Sequence, residues 1–224
     1  MARLIFPIIL GLGGIVVLLF LGFWQLDRLG WKEGILADIN ARMTAAPVAI
    51  PADPNEADDE YLAVNFAGVP VGDELHVLTS GTARGTGYRA ITALQLDDGR
   101  RILLDQGLIA LEAKDAQRSF AALEGTGNLV WPDDVNSSTP APDLDKNIWF
   151  GRDVEAMAAI LETLPIMVIL NNATGLDARV APLPVDSAGV KNDHLNYAIT
   201  WFLLAIVWAI MTLFLITRIL RNKD

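Results

Sequence analysis

The 224 residues include no cysteine and only two histidines. The first absence excludes structural disulfides, thiol redox chemistry and thiolate ligation of zinc, copper or iron–sulfur clusters. Any folded domain must therefore be held by packing alone. The scarcity of imidazole leaves a catalytic triad with few members to draw on. Neither a Gly-x-Ser-x-Gly elbow nor a His-Glu-x-x-His zinc motif occurs. Carboxylates are plentiful, but no pair is singled out for glycosidase-like chemistry. Charge is missing from two long stretches. Residues 4–26 and 195–217 are uncharged runs of 23 residues each. A helix of ~20 apolar residues crosses the bilayer core. The simplest reading is a membrane hairpin with a large domain between its arms.

The central residues are of a different kind. Residues 27–197 hold 26 of the 27 acidic residues and 13 of the 17 Lys and Arg, a net charge of −13. A span of 171 residues suits one domain with its own core. Its acidity argues against nucleic acid or an anionic lipid surface as partner, and fits a solvated surface or a basic partner. The flanks suggest an orientation. Arg3 precedes the first run, and Arg218, Arg221 and Lys223 follow the second. The positive-inside bias then places both termini in the cytoplasm and the acidic domain outside, although Arg28, Lys32 and Lys191 lie on the outer side. The expected organisation is a cytoplasmic N-terminus at 1–3, a first transmembrane helix at 4–26, a periplasmic domain at 27–194, a second helix at 195–217 and a basic tail at 218–224. The first run is long for a signal peptide and lacks an A-x-A-like site, so it reads as an uncleaved anchor. No Arg- and Ser-rich transit segment precedes it, which points to a bacterial inner membrane.

Along the domain, residues 31–43 read as a helical extension ending before Pro47, and 53–60 as an acidic surface loop. Strand character appears at 61–71, 74–78, 88–96 and 101–111, with a hairpin turn at Asp97, Asp98 and Gly99. The glycine-rich stretch at 81–87 reads as a flexible connection. It lacks the Gly-Lys-Ser/Thr ending of a phosphate loop. A short helix is expected at 113–123, a strand at 127–131 and a loop at 132–145. Residues 152–164 form an amphipathic helix with Val154, Met157, Ala158 and Leu161 on one face. A buried strand at 165–170 and a Pro-bearing linker at 181–190 complete the pattern. Fold class is therefore α+β: two membrane helices flanking an antiparallel sheet or small barrel.

His76 falls in a strand with no second ligand at useful spacing and reads as an exposed or half-buried strand residue. His194 stands at the mouth of the second apolar run. On a 3.6-residue helix, His194, Tyr197, Trp201, Ala205 and Trp208 share a face. Two readings fit this face. The imidazole can ligate the iron of a flat apolar cofactor such as heme, or it can cap the helix while the tryptophans pack on the other helix. Gly11, Gly14, Leu18 and Gly22 form a small-residue face on the first helix, and Ala198, Ala205 and Ala209 one on the second. An antiparallel pair would set Gly22 near Ala198, and Trp24 and Arg28 near His194 and Tyr197. Arg28 can then hold a propionate or snorkel to headgroups. Trp24 also suits the role of interfacial anchor. Together with Gln25, these outer-end residues are the hardest to explain as anchors.

The motif LGFWQLDRLGWK at 21–32 resembles the end of the first helix in the surfeit locus protein 1 family, and NDHLNYAITWF at 192–202 resembles the start of its second. Between them, Gly87-Tyr88 with its strand, the strand at 103–107 and IWFGRDVEAMA at 148–158 follow the family's order. The resemblance implies a membrane-embedded, non-enzymatic assembly factor of the respiratory chain. Such a factor serves heme–copper oxidases, chiefly cytochrome c oxidase, and binds heme a for delivery to the catalytic subunit. Its implied partners are cytochrome c oxidase subunit 1 and heme a synthase, and nucleic acid is not among them. The family's membrane histidine matches His194, which makes it the implied iron ligand, with Tyr197, Trp201, Arg28 and Trp24 around the cofactor. Two departures mark a divergent member. Where the family reads Asn-Arg-Gly-Trp-Val-Pro, residues 105–110 read DQGLIA, and Asp193 replaces the second Asn of Asn-Asn-His. The first change bears on any partner contact made by that loop. It keeps open a second role, as a structural accessory subunit of a mature respiratory complex without cofactor. A sensor or enzyme with an extracytoplasmic site is the third reading.

Overall fold

The computed structural model describes residues 2–82, 84–118, 121–187 and 191–221. Met1, Lys223, residues 188–190 of the linker and residues 119–120 of the helix expected at 113–123 lie outside that set. The chain divides into two compact units, Met1–Asp38 with Ser187–Asp224, and Ile39–Asp186.

The first unit contains two helices. Helix α1, Ala2–Met43, runs without a break through the apolar run and the extension expected after it, and its last residues belong to the second unit. Its partner from the other end of the chain, His194–Arg221, starts at the histidine itself. Both are long and apolar enough to cross a membrane. Most of their large apolar side chains face outward, as lipid contact requires. The helices touch through small residues. A Cβ at Gly14 would strike the Trp208 ring, one at Gly11 the Thr212 side chain, and one at Gly22 would lie 2.6 Å from Phe202. Trp208 Nε1 donates to the Gly11 carbonyl at 3.2 Å, and Phe23 meets Phe202 edge-on at 5.3 Å. Ala198 and Ala205 are buried. Gly22 therefore meets Phe202, one turn beyond Ala198.

The second unit is a closed five-stranded barrel. Its elements in order are β1 (Val48–Ala49), α2 (Glu56–Asp59), β2 (Ala63–Thr82), β3 (Gly85–Leu96), β4 (Arg101–Ala110), β5 (Leu123–Val130), α3 (Val154–Leu161) and β6 (Met167–Thr174). The helix His194–Arg221 is accordingly α4. Strand order is β1-β2-β3-β4-β6-β5, and β5 pairs back onto β2. Closure works because β2 is long and serves both neighbours. Residues 63–68 pair with β5 and 68–82 with β3, so Gly68 lies opposite both Leu96 and Leu123. A side chain at Gly68 would press on the Gln95 carbonyl at 2.5 Å. The two strands expected at 61–71 and 74–78 are one strand, bent by a bulge at Gly72 with φ +74°. The sheet also departs from the expected antiparallel design at two seams, where β4 runs parallel to β6 and the two-residue β1 runs parallel to β2.

Two apolar cores lie on opposite faces of this sheet. Ile102 and Leu104 of β4 join Val64, Phe66, Leu94, Leu129, Val168 and Leu170 in one. Leu103 joins Ile91, Met167, Ile169 and Trp149 with Val154, Met157, Ala158 and Leu161 of α3 in the other. Each large aliphatic side chain among them contributes roughly 1.5–3 kcal/mol when fully buried, in a domain that has no disulfide. Helix α3 starts at Asp153, whose carboxylate accepts the Ala156 N–H at 3.0 Å, and ends at Glu162 with φ +54°. Among the described residues of 113–123 the expected helix does not form: a 3-10 turn at Leu111–Ala113 is followed by a turn. The acidic loop at 53–60 contains the single turn α2, capped by Asn55.

Candidate functional site

Helix α4 opens with His194, and its imidazole turns toward α1. Nδ1 lies 2.7 Å from Oε1 of Gln25. Gln25 is itself buried, at 9% exposure, among apolar neighbours on α1. An amide oxygen only accepts, so Nδ1 is the nitrogen that donates, which makes Nε2 the nitrogen left to accept or to ligate in the neutral ring. Among the described residues no hydrogen bond reaches Nε2. Two turns on, Trp201 is half-buried and its Nε1 is shielded from solvent without a hydrogen-bond partner, as is Asn192 Oδ1 just before the helix. Tyr197 and Trp24 are about half exposed, at 55% and 47%. The Arg28 guanidinium lies 4.1 Å above the Trp31 ring and is exposed. Lys32 donates to the Lys191 carbonyl. Of the residues singled out in the sequence, the structure thus joins His194 to α1, half-buries Trp201, and leaves Tyr197, Trp24 and Arg28 on the surface of the helix pair. The partner that the sequence did not assign to the site is Gln25. A lone amide in the apolar stretch LGFWQL is its only signal.

A bare metal ion finds no nest here. Among the described residues no three His, Asp or Glu side chains gather to hold one. A single imidazole with a free Nε2 suits a metal that brings its other donors with it, as an iron porphyrin does. The donor chemistry of His194 fits that group.

The barrel carries two further polar clusters that sequence reading missed. In the first, Glu74 meets His76 Nε2 at 2.6 Å and receives Arg118 Nε at 3.0 Å. Asn147 Nδ2 donates to the Glu74 carbonyl at 2.6 Å. The side chains of Glu74, His76 and Arg118 are almost wholly buried beside a cleft of about 1080 Å³. His76 is therefore a buried ion-network residue and not the exposed or half-buried residue expected. Burial alone would raise the Glu74 carboxyl, but the hydrogen bonds of His76 and Arg118 and their charge outweigh it and hold it below its usual value.

The second cluster centres on Asp105 of β4, fully buried, which binds Arg89 and faces Arg152. Arg152 also grips Asp134 through Nε at 2.6 Å and Nη2 at 3.2 Å. Asp134 is held low because these bonds and the Arg152 charge overcome its burial, while Arg152 is raised against its own desolvation. Gln106 donates to Thr92 Oγ1 at 2.9 Å, and Gly107, at φ +120°, lies against the Ala181 carbonyl where a Cβ would clash. Residues 105–107 are thus a bulge inside β4, with Asp105 and Gln106 buried, and not a loop open to a partner.

In chain order, a five-stranded barrel lies between two terminal helices long and apolar enough to cross a membrane, which defines the class as a single-barrel protein with two candidate membrane spans. The chain belongs to the SURF1 family, whose model matches residues 12–206. It is similar to a SURF1-like protein of Monosiga brevicollis, with 27% identity over 89% of this chain and 84% of that one. Surfeit locus protein 1 of Homo sapiens is 26% identical over 81% of this chain and 68% of its own length. A SURF1-like protein of the bacterium Rickettsia bellii is 28% identical over 85% and 82%.

Proposed function

We propose that this protein is a membrane-anchored, non-enzymatic assembly factor for a heme–copper oxidase, the cytochrome c oxidase, and that it holds heme a for delivery to the catalytic subunit. The observation that carries this reading is the His194–Gln25 pair at 2.7 Å, which engages Nδ1 and leaves Nε2 open. Family membership adds to it. In this reading His194 would hold the iron, Trp201, Tyr197 and Trp24 would supply the apolar surface beside the cofactor, and Arg28 would offer its exposed guanidinium to a propionate. Heme, when bound, supplies a redox-active iron with a visible spectrum. The chain's own residues orient it, exclude water and let it go. The protein lies in a bacterial inner membrane with both termini cytoplasmic. The acidic barrel stands in the periplasm and docks subunit 1 of the oxidase or heme a synthase.

The test is purification from a host that makes heme a, with spectra of the wild type beside His194→Ala. A heme band lost in the variant is expected. No band in the wild type, or equal retention in the variant, overturns ligation by His194. Stable co-purification with a mature respiratory complex and no heme would replace the assembly role with that of an accessory subunit.

A further inference from the structure

We propose that Gln25 is the positioning residue of His194: it fixes the ring as the Nδ1–H tautomer and, being uncharged, leaves Nε2 a ligand of ordinary strength. The second half of this inference rests on the heme-binding reading above. The first half rests on geometry alone.

Gln25 sits in the uncharged run of α1, nine-tenths buried, where an amide is out of place unless it is bonded. Among the described residues His194 Nδ1 is the one hydrogen-bond partner of its side chain. That bond crosses from one helix to the other, so it sets both the rotation of the ring and the nitrogen that bears the proton. A ring free to exchange tautomers would present a protonated Nε2 part of the time, and a protonated nitrogen cannot ligate.

The nature of the acceptor matters as much as its place. A ligating histidine donates its other N–H to an acceptor that tunes its basicity, and a carboxylate raises that basicity. The acceptor here is a neutral amide. It orients the ring without pushing electron density toward Nε2. A carrier that must surrender its cargo is served by such a ligand. A permanent heme site would gain from the carboxylate. Gln25 therefore separates orientation, which it supplies, from affinity, which it leaves moderate.

The experiment uses the full chain in detergent micelles. The ¹⁵N shifts of the histidine side chains are recorded without heme, with His194→Ala assigning the second of the two rings. Wild type and Gln25→Glu are expected to show the Nδ1–H pattern, and Gln25→Leu a shift toward Nε2–H. Unchanged shifts in Gln25→Leu overturn the positioning role. Hemin is then titrated into the same samples. Gln25→Leu is expected to bind about 10- to 100-fold more weakly. Gln25→Glu, which retains the acceptor and so controls for folding, is expected to bind at least as tightly as wild type, with a lower midpoint potential and slower transfer to apomyoglobin. Equal potential and transfer rate in Gln25→Glu and wild type overturn the claim about the neutral partner. If wild type takes up no hemin while the tautomer still answers to Gln25, the heme reading fails and the positioning role stands. If hemin binds through His194 and ignores residue 25, the reverse holds.

Discussion

Asp105 Oδ2 lies 2.5 Å from Arg89 Nη1 and 3.8 Å from Arg152 Nη1, so one fully buried carboxylate answers two guanidiniums. Its other oxygen accepts the Gly107 N–H at 3.1 Å, which ties the charge pair to the bulge of β4. Removing one member of a buried pair strands the other charge and costs about 3–5 kcal/mol. Asp105→Ala is expected to destabilise the protein by that amount, read as a lowered unfolding midpoint in detergent. A loss below about 1 kcal/mol, the size of a surface pair, would show that the cluster is solvated.

Acid acts on two other carboxylates. Asp134 and Glu74 titrate below their unfolded values of about 3.9 and 4.3. The stability they add is complete above those values and lost as pH falls through the lower folded ones. Unfolding temperatures measured from pH 6 to pH 3 should decline, and the decline should be smaller in Asp134→Asn and in Glu74→Gln. Glu60 works in the opposite sense. Burial raises it, against a lowering hydrogen bond from the Trp131 N–H, and Glu56 raises it further. Its ionised form at pH 7 is a penalty, so Glu60→Gln should raise the unfolding temperature at pH 7 and lose that advantage toward pH 4. Parallel pH curves for wild type and variants would refute these assignments.

Helix pairing can be read by cross-linking, because the native chain has no cysteine to interfere. Cysteines at Phe23 and Phe202, whose rings are 5.3 Å apart, should join in membranes with a short bismaleimide. Adding Gly14→Leu, which drives a side chain into Trp208, should cut the yield severalfold. An undiminished yield would mean that α1 and α4 do not meet at Gly14.

Topology has its own probe. Leu144 is 62% exposed on the barrel. In intact spheroplasts, Leu144→Cys should react with a membrane-impermeant maleimide without lysis. Labelling only after lysis would invert the proposed orientation.

Much of the fold was legible because single-residue chemistry speaks loudly there. Two runs without charge define α1 and α4, and Val154, Met157, Ala158 and Leu161 line the buried face of α3 as their spacing requires. Other features depend on contacts between distant residues, to which local pattern is blind. The strands at 61–71 and 74–78 merge because Gly72 absorbs the bend. The parallel seam of β4 and β6 reflects tertiary pairing. Asp105 reads in the sequence as part of a partner-facing loop, and nothing in the local sequence names Arg89 or Arg152 as its buried partners. At the helix mouth, the pattern pointed to His194. The face it was drawn on misses Gln25, because that residue comes from the opposite end of the chain, 169 positions away.

Strand β2 carries a last consequence. It is hydrogen-bonded to β5 along its first third and to β3 along the rest, with Gly68 counted in both ladders. Peeling is the ordinary way a sheet begins to come apart, and it starts at an outermost strand. Here the ring is fastened by a continuous strand, so any of the five barrel strands can detach only by unzipping on both sides together. The barrel should accordingly open as one unit, with its deepest amides exchanging at a common rate set by global unfolding. For a domain without a covalent staple, the ring closure is what a disulfide would otherwise have supplied.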